Sequence, residues 1–328
     1  MKVLYVMDKA LFDDVYSPDV RKEIARLAGE EPALYSDTEV IENPRLLCGA
    51  EVIFGSWGTP RFDERLLEHA DGLKAVLFAA GSVKSVVCDA FWKKNIRITS
   101  AAVANAVPVA EFALGEILLS LKRFFHHNRL YQAEGAFRQD ELAGIYRSRV
   151  GIVSYGLIAK HLIKLLKQFD LRVHIWSPEL DKASAEREGL IFTPLDELFR
   201  VCDVVSLHTP LLPETEGMIK YEHVASMKRN ATLINTARGA VINEGDLIKA
   251  LRERPDLTAL LDVTKEEPLP AGSALAALPN VLLTPHIAGA CNAERGRLGE
   301  LMLEEFKRYL NRQPLSFEVS AQKLAGMA

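Results

Sequence analysis

Short β-branched runs alternate with stretches of helical period along most of the chain, and few architectures accommodate that rhythm. Parallel strands buried on both faces read as continuous apolar runs, and each needs a crossover, usually a helix, to reach its neighbour. In the first third the runs are Val3–Met7, Val52–Phe54, Ala75–Ala79 and Ile96–Ser100, with helical stretches such as Val20–Leu27 and Phe62–Ala70 between them. The middle repeats the theme at Val150–Ser154, Val173–Trp176, Val204–His208, Thr232–Thr236, Leu257–Val263 and Val281–Thr284. The pattern predicts an α/β chain with two doubly wound parallel sheets. At roughly 150 residues per domain, 328 residues also suggest two domains. No Gly/Ser-rich linker joins them, so the crossings are expected near Ala101–Val107 and Ala288–Ala293. The amphipathic segment Glu294–Leu310 has the length of a closing helix that returns to the first domain.

Composition removes several function classes. Hydrophobic residues make up 48% and charged residues 26%, an ordinary globular balance. Forty basic against forty-four acidic side chains leave a net charge of −4, so no nucleic-acid partner and no membrane partner is expected. Cys48, Cys88, Cys202 and Cys291 are scattered too widely for a zinc knuckle or a small disulfide framework. As free thiols they point to a reducing, cytoplasmic setting. The most apolar stretch, Ala101–Leu121, carries Asn105, Pro108, Glu111 and Glu116, which are costly at membrane depth, so it reads as a core helix. The apolar run at the N-terminus stops at Asp8, too early for a signal-peptide core. His126 and His127 are adjacent and face different ways on a helix, so no metal site is expected.

The run Val150–Ser154 leads into Ser154-Tyr155-Gly156-Leu157-Ile158-Ala159 and a helical stretch Lys160–Phe169. This is where a dinucleotide-binding unit carries its glycine-rich turn, with backbone N–H groups facing a pyrophosphate. Only the central glycine, Gly156, is kept; Ala159 is small enough for helix–strand packing, and Ser154 replaces the glycine of the tight turn. About twenty residues on, where an acid usually meets the adenosine ribose, stands Ser177. A neutral serine cannot strongly repel a 2′-phosphate, and no cation follows until Lys182. NAD is therefore expected, with weak discrimination against NADP.

Three further strand ends carry chemistry. One ends in Asn235-Thr-Ala-Arg238-Gly239, another in Asp262-Val-Thr-Lys-Glu266-Glu267-Pro268, the last in Thr284-Pro-His286-Ile-Ala-Gly289. Ligands of doubly wound sheets bind beyond the carboxyl ends of strands, so all three fall on the functional edge. An arginine offers a carboxylate two parallel donors, and a histidine holds a proton near neutral pH. A carboxylate on the other ring nitrogen fixes the tautomer. Arg238, His286 and Glu267 suit a small 2-oxo acid or 2-hydroxy acid.

With these motifs, together with Val109-Ala-Glu111, Ser206-Leu-His208-Thr209-Pro210 and Pro314-Leu315, the chain resembles the D-isomer-specific 2-hydroxyacid dehydrogenases from about residue 50 to its end. The resemblance implies a flavodoxin-like substrate domain, residues 1–100 plus 292–328, and a Rossmann NAD-binding domain, residues 101–291. It makes Arg238 the carboxylate clamp, His286 the acid/base and Glu267 its partner. Tyr155, Gly156, Leu157, Ile158, Ser177, His208, Thr209, Thr236 and Asp262 would contact the cofactor, Asp262 holding the nicotinamide carboxamide. The backbone of Gly81 and Ser82 would meet the substrate. The resemblance also implies a homodimer built on the nucleotide domain, with Ala101–Leu121 at the interface. Corepressors of the C-terminal-binding-protein type resemble the same fold, which makes an NAD(H)-sensing interaction protein the alternative.

Overall fold

The structure, a computed structural model, describes residues 1–135 and 142–324. It divides into two compact units. The first comprises Met1–Asn105 and the segment from Ala290 onward; the second is Ala106–Gly289. The changeovers fall at Asn105/Ala106, inside the helix Ala102–Leu121, and at Gly289/Ala290.

Thirteen strands are formed among the described residues. In the first unit they are β1 (Val3–Val6), β2 (Ala33–Tyr35), β3 (Val52–Gly55), β4 (Ala75–Phe78) and β5 (Arg97–Ser100). The second unit holds β6 (Arg149–Val153), β7 (Arg172–Trp176), β8 (Ile191–Phe192), β9 (Val204–Leu207), β10 (Thr232–Asn235), β11 (Thr258–Leu261) and β12 (Val281–Leu283). A last strand, β13 (Glu318–Val319), belongs to the first unit. The first sheet runs β13-β5-β4-β3-β1-β2 and is parallel apart from β13, which pairs antiparallel with β5. Its order 2-1-3-4-5 is the flavodoxin-like one. The second sheet, β12-β11-β10-β9-β6-β7-β8, is parallel throughout and contains the dinucleotide-binding order 3-2-1-4-5-6.

All ten strand runs read from the sequence are present, within a residue or two at each end. Three strands escaped that reading. β2, β8 and β13 are two or three residues long and lie at or beside sheet edges, too short to show a period of their own. The helix expected over Phe62–Ala70 contracts to Glu64–Leu67, started by the Asp63 cap. The closing helix Gly296–Leu310 packs in the first unit, as its apolar face suggested. Gly299 makes this possible: a Cβ there would sit 1.9 Å from the carbonyl oxygen of Val15.

Helix Ala102–Leu121 is long and apolar enough to cross a membrane by length and composition alone. Its residues Ala110, Ala113, Ile117 and Leu121 instead pack beneath β6 and β10, against Ile152 and Ile234 among others. Leu119 remains exposed.

Candidate active site

Register aligns the functional edge of the second sheet. Val153 pairs with Trp176 and with Leu207, Leu207 with Asn235, Asn235 with Leu261, and Leu261 with Leu283. The next residue on each strand therefore falls in one row across the carboxyl edge: Ser177, Ser154, His208, Thr236, Asp262 and Thr284. Every member is polar, and the strand order reverses inside the row, between β6 and β9. That reversal is the switch point at which open α/β sheets hold ligands.

At the β6 end, Ser154 has φ of +80°, in the left-handed region that a glycine occupies without penalty. It keeps its place through an N–H bond of 2.7 Å to the Trp176 carbonyl. Gly156 is the N-cap of helix Leu157–Leu166 and supplies no side-chain cap. A Cβ on Gly156 would meet nothing within 4 Å, so the chain approaching the first N–H groups of this helix stands beside open space. Unsatisfied N–H groups at such a terminus suit a phosphate. Ala159 is fully buried, as helix–strand packing requires, and Ser177 is buried at the next strand end. Tyr155 lies beneath the Lys160 ammonium, 4.9 Å from the ring centroid.

The middle of the row is buried, polar and incompletely bonded. His208 Nε2 lies 3.0 Å from Ser206 Oγ, but its Nδ1 has no partner. The hydroxyls of Thr209 and Thr236 are likewise buried without partners. Burial pulls the His208 pKa down to about 4, so the ring is neutral at pH 7. Three unpartnered polar atoms on neighbouring strand ends are costly unless a ligand or ordered water satisfies them. With the open Gly156 turn beside them, these residues fit a nicotinamide dinucleotide.

Asp262 is also buried, yet its carboxylate is engaged. It accepts from Thr284 Oγ1 at 2.6 Å, Ile287 N–H at 2.8 Å and Ala288 N–H at 2.9 Å. These bonds pin the turn that carries His286 to the end of β11. Within the chain, then, Asp262 anchors a loop, a role its motif did not disclose. Burial, together with the Asp262 charge, pushes the carboxyl of Glu116 up to about 8. In the sequence Glu116 registered only as a polar interruption of an apolar helix.

The structure brings Arg238, Glu267 and His286 together. His286 Nδ1 is 2.8 Å from Glu267 Oε2, and the other carboxylate oxygen accepts from the Thr264 N–H at 3.2 Å. His286 sits at φ +54°, an unusual value for a non-glycine residue and typical of sites that hold a side chain in a set direction. Its N–H donates to the Asp262 carbonyl at 2.9 Å. Arg238 is oriented by Asn235, whose side chain donates to the Arg238 carbonyl and accepts from Ala237 N–H, both at 3.0 Å. Burial lowers the Arg238 pKa, and the Glu267 carboxylate works against that shift. Gly239 permits the approach: a Cβ there would lie 2.0 Å from the carbonyl carbon of Thr264. Neither Thr264 nor the need for this glycine was legible beforehand, because both depend on one loop crossing another.

Gly81 and Ser82 belong to the first unit, in the turn after β4. Ser100 Oγ donates to the carbonyls of Ala80, at 3.2 Å, and Gly81, and Ser82 Oγ accepts from Lys84 N–H at 3.4 Å. Among the described residues no cluster of His, Cys, Asp and Glu could hold a metal ion.

Such an edge is that of a dinucleotide-binding unit, and the family comparison agrees. Residues 114–288 match the model of the D-isomer specific 2-hydroxyacid dehydrogenase, NAD binding domain. The chain belongs to this family of NAD-dependent oxidoreductases. It is 30% identical over 308 residues to a D-3-phosphoglycerate dehydrogenase of Methanocaldococcus jannaschii; the match covers 93% of this chain but 58% of that relative's length. A glyoxylate reductase of Korarchaeum cryptofilum is 33% identical over 260 residues, covering 76% of this chain and 78% of the relative. Among solved structures, the NAD-complexed D-isomer specific 2-hydroxyacid dehydrogenase of Lactobacillus delbrueckii ssp. bulgaricus has a TM-score of 0.81. At 21% identity over 97% of this chain and 100% of that one, it bears on the fold alone.

Proposed function

We propose that the protein is a reductase of small 2-oxo acids, forming D-2-hydroxy acids, with the second unit binding NAD(H). The observation that carries this reading is the 2.8 Å pairing of His286 Nδ1 with Glu267, within the field of Arg238. When bound, NADH supplies the hydride. The chain supplies the rest. Glu267 holds the imidazole through Nδ1 and fixes its orientation, leaving Nε2 to deliver the proton to the substrate's ketone oxygen. Arg238 clamps the substrate carboxylate through two guanidinium donors.

The cofactor would lie along Tyr155, Gly156, Leu157, Ile158, Ser177, His208, Thr209, Thr236 and Asp262. Relatives named as glyoxylate reductase and hydroxypyruvate reductase support a two- or three-carbon substrate. They also favour the enzyme over an NAD(H)-sensing interaction protein. A homodimer in the cytoplasm completes the reading. Its supports are the partly uncovered apolar helix Ala102–Leu121, with Leu119 exposed, and the thiols Cys48, Cys88 and Cys202, which form no disulfide.

Replacing Arg238 with lysine tests the assignment. Lysine keeps the charge and loses the fork. A charge-assisted hydrogen bond is worth about 1.5–3 kcal/mol, so kcat/KM for glyoxylate should fall roughly ten- to hundredfold, mostly through KM. An unchanged kcat/KM would remove Arg238 from the site.

A further inference from the structure

The opposite edge of the second sheet carries a second cluster. β6 opens with Arg149 and β7 with Arg172, and the two residues are direct partners in register. Partners on adjacent parallel strands project to the same face, and like charges so placed repel. Among the described residues, no hydrogen bond or ion pair engages either guanidinium. Arg147 stands in the turn before β6 with its guanidinium over the Tyr146 ring. Lys228 approaches from the segment before β10. The single carboxylate here, Asp203, is already committed to the Arg149 N–H at 2.8 Å and to the Lys228 ammonium. These five residues line an open cavity of about 410 Å³, together with Ser148 and Ala143. That volume lies in the range of small-molecule pockets.

We propose that this cavity binds a small multivalent oxyanion, held by the forks of Arg149 and Arg172 and flanked by Arg147 and Lys228. Four cations facing one preoccupied carboxylate leave an excess positive charge in a chain whose overall charge is negative. Planar guanidinium pairs match the oxygens of phosphate and carboxylate groups and do not match halide ions. The site is separate from the cofactor turn, since Arg149 and Ser154 lie at opposite ends of the same strand.

His174 offers a reporter. It follows Arg172 by two positions on β7, is buried, and its Nδ1 lies 2.8 Å from Thr193 Oγ1. Burial and the Arg149 and Arg172 charges lower its pKa, whereas Glu197 and Asp203 raise it. An anion that neutralises the two guanidinium groups should move its titration upward.

The test is calorimetric titration of the full chain with inorganic pyrophosphate and with citrate. It is run in saturating NAD⁺ to occupy the cofactor turn, with ionic strength held constant by KCl. Saturable binding of either probe is expected, with an upward shift of the His174 titration seen by NMR. Binding of pyrophosphate alone identifies a phosphorylated ligand, and of citrate alone a polycarboxylate. The double variant Arg149→Gln/Arg172→Gln should bind at least tenfold more weakly, with NAD⁺ affinity unchanged within twofold. Should that variant fail to fold, Arg172→Lys keeps the charge, removes one fork, and should weaken binding at least threefold. No saturable binding of either probe, or equal binding by the folded variants, overturns the proposal.

Discussion

The two edges of the second sheet are built on opposite principles. At the carboxyl edge the middle of the row is buried, polar and uncharged, apart from Asp262, whose carboxylate accepts three hydrogen bonds, and buried polar atoms of His208, Thr209 and Thr236 are left without partners. At the amino edge four cations and one carboxylate line the cavity, and Arg147 and Arg172 are exposed to solvent. Neutral donors and acceptors in a dry setting discriminate by geometry, because each one left unsatisfied costs about 1–3 kcal/mol. Exposed cations attract anions over longer distances and are screened by salt. The contrast teaches that the parallel sheet separates recognition by shape from recognition by charge, one at each end of the same strands.

The largest effect should come from His286. On the reading above, His286→Gln removes the proton donor and should lower kcat by roughly 10²- to 10⁴-fold, as loss of a general acid does. NADH affinity, followed by nucleotide fluorescence, should stay within a few fold. If kcat survived while Arg149→Gln/Arg172→Gln abolished it, the division of labour between the edges would be broken.

A smaller effect is expected at the β6–β7 end of the row. Ser177→Asp places a carboxylate where the adenosine ribose is expected, and one close like-charge contact should shift the NADH:NADPH ratio of kcat/KM about tenfold or more toward NADH. Ser154→Gly relieves a left-handed residue that costs about 1–2 kcal/mol for a side chain. It should raise the thermal midpoint and leave the coenzyme ratio unchanged. A shifted ratio in the glycine variant would mean that the turn itself selects the coenzyme.

A last effect, on stability alone, concerns Glu116. Its carboxyl titrates near 4.5 when unfolded and at about 8 in the folded protein, so the folded state holds the proton more tightly. Its contribution to stability is complete below pH 4.5 and is lost as pH rises through about 8. Urea midpoints of Glu116→Gln should therefore decline less between pH 5 and pH 8 than those of the native chain. An identical decline in both would place the carboxyl in water.

The dinucleotide turn, the Arg-Gly strand end and the Glu-Pro and Pro-His motifs were legible because each is local. A strand end, a turn residue and a helix start lie within a few positions of one another, and periodicity alone marks where strands stop. The members of the trio could be listed for the same reason. What the tertiary structure decided is how separate strand ends meet. Only the register of six parallel strands aligns Ser177, Ser154, His208, Thr236, Asp262 and Thr284 into one row. Only the crossing of two loops shows that Gly239 must lack a Cβ and that Thr264 orients Glu267. The pairing of Arg149 with Arg172, and the spent carboxylate of Asp203, have no sequence signal at all. Local patterns encode the elements because hydrogen bonding and side-chain period act over a few residues. Charge, burial and unsatisfied polar atoms depend on neighbours far apart in the chain, so only the folded protein determines them.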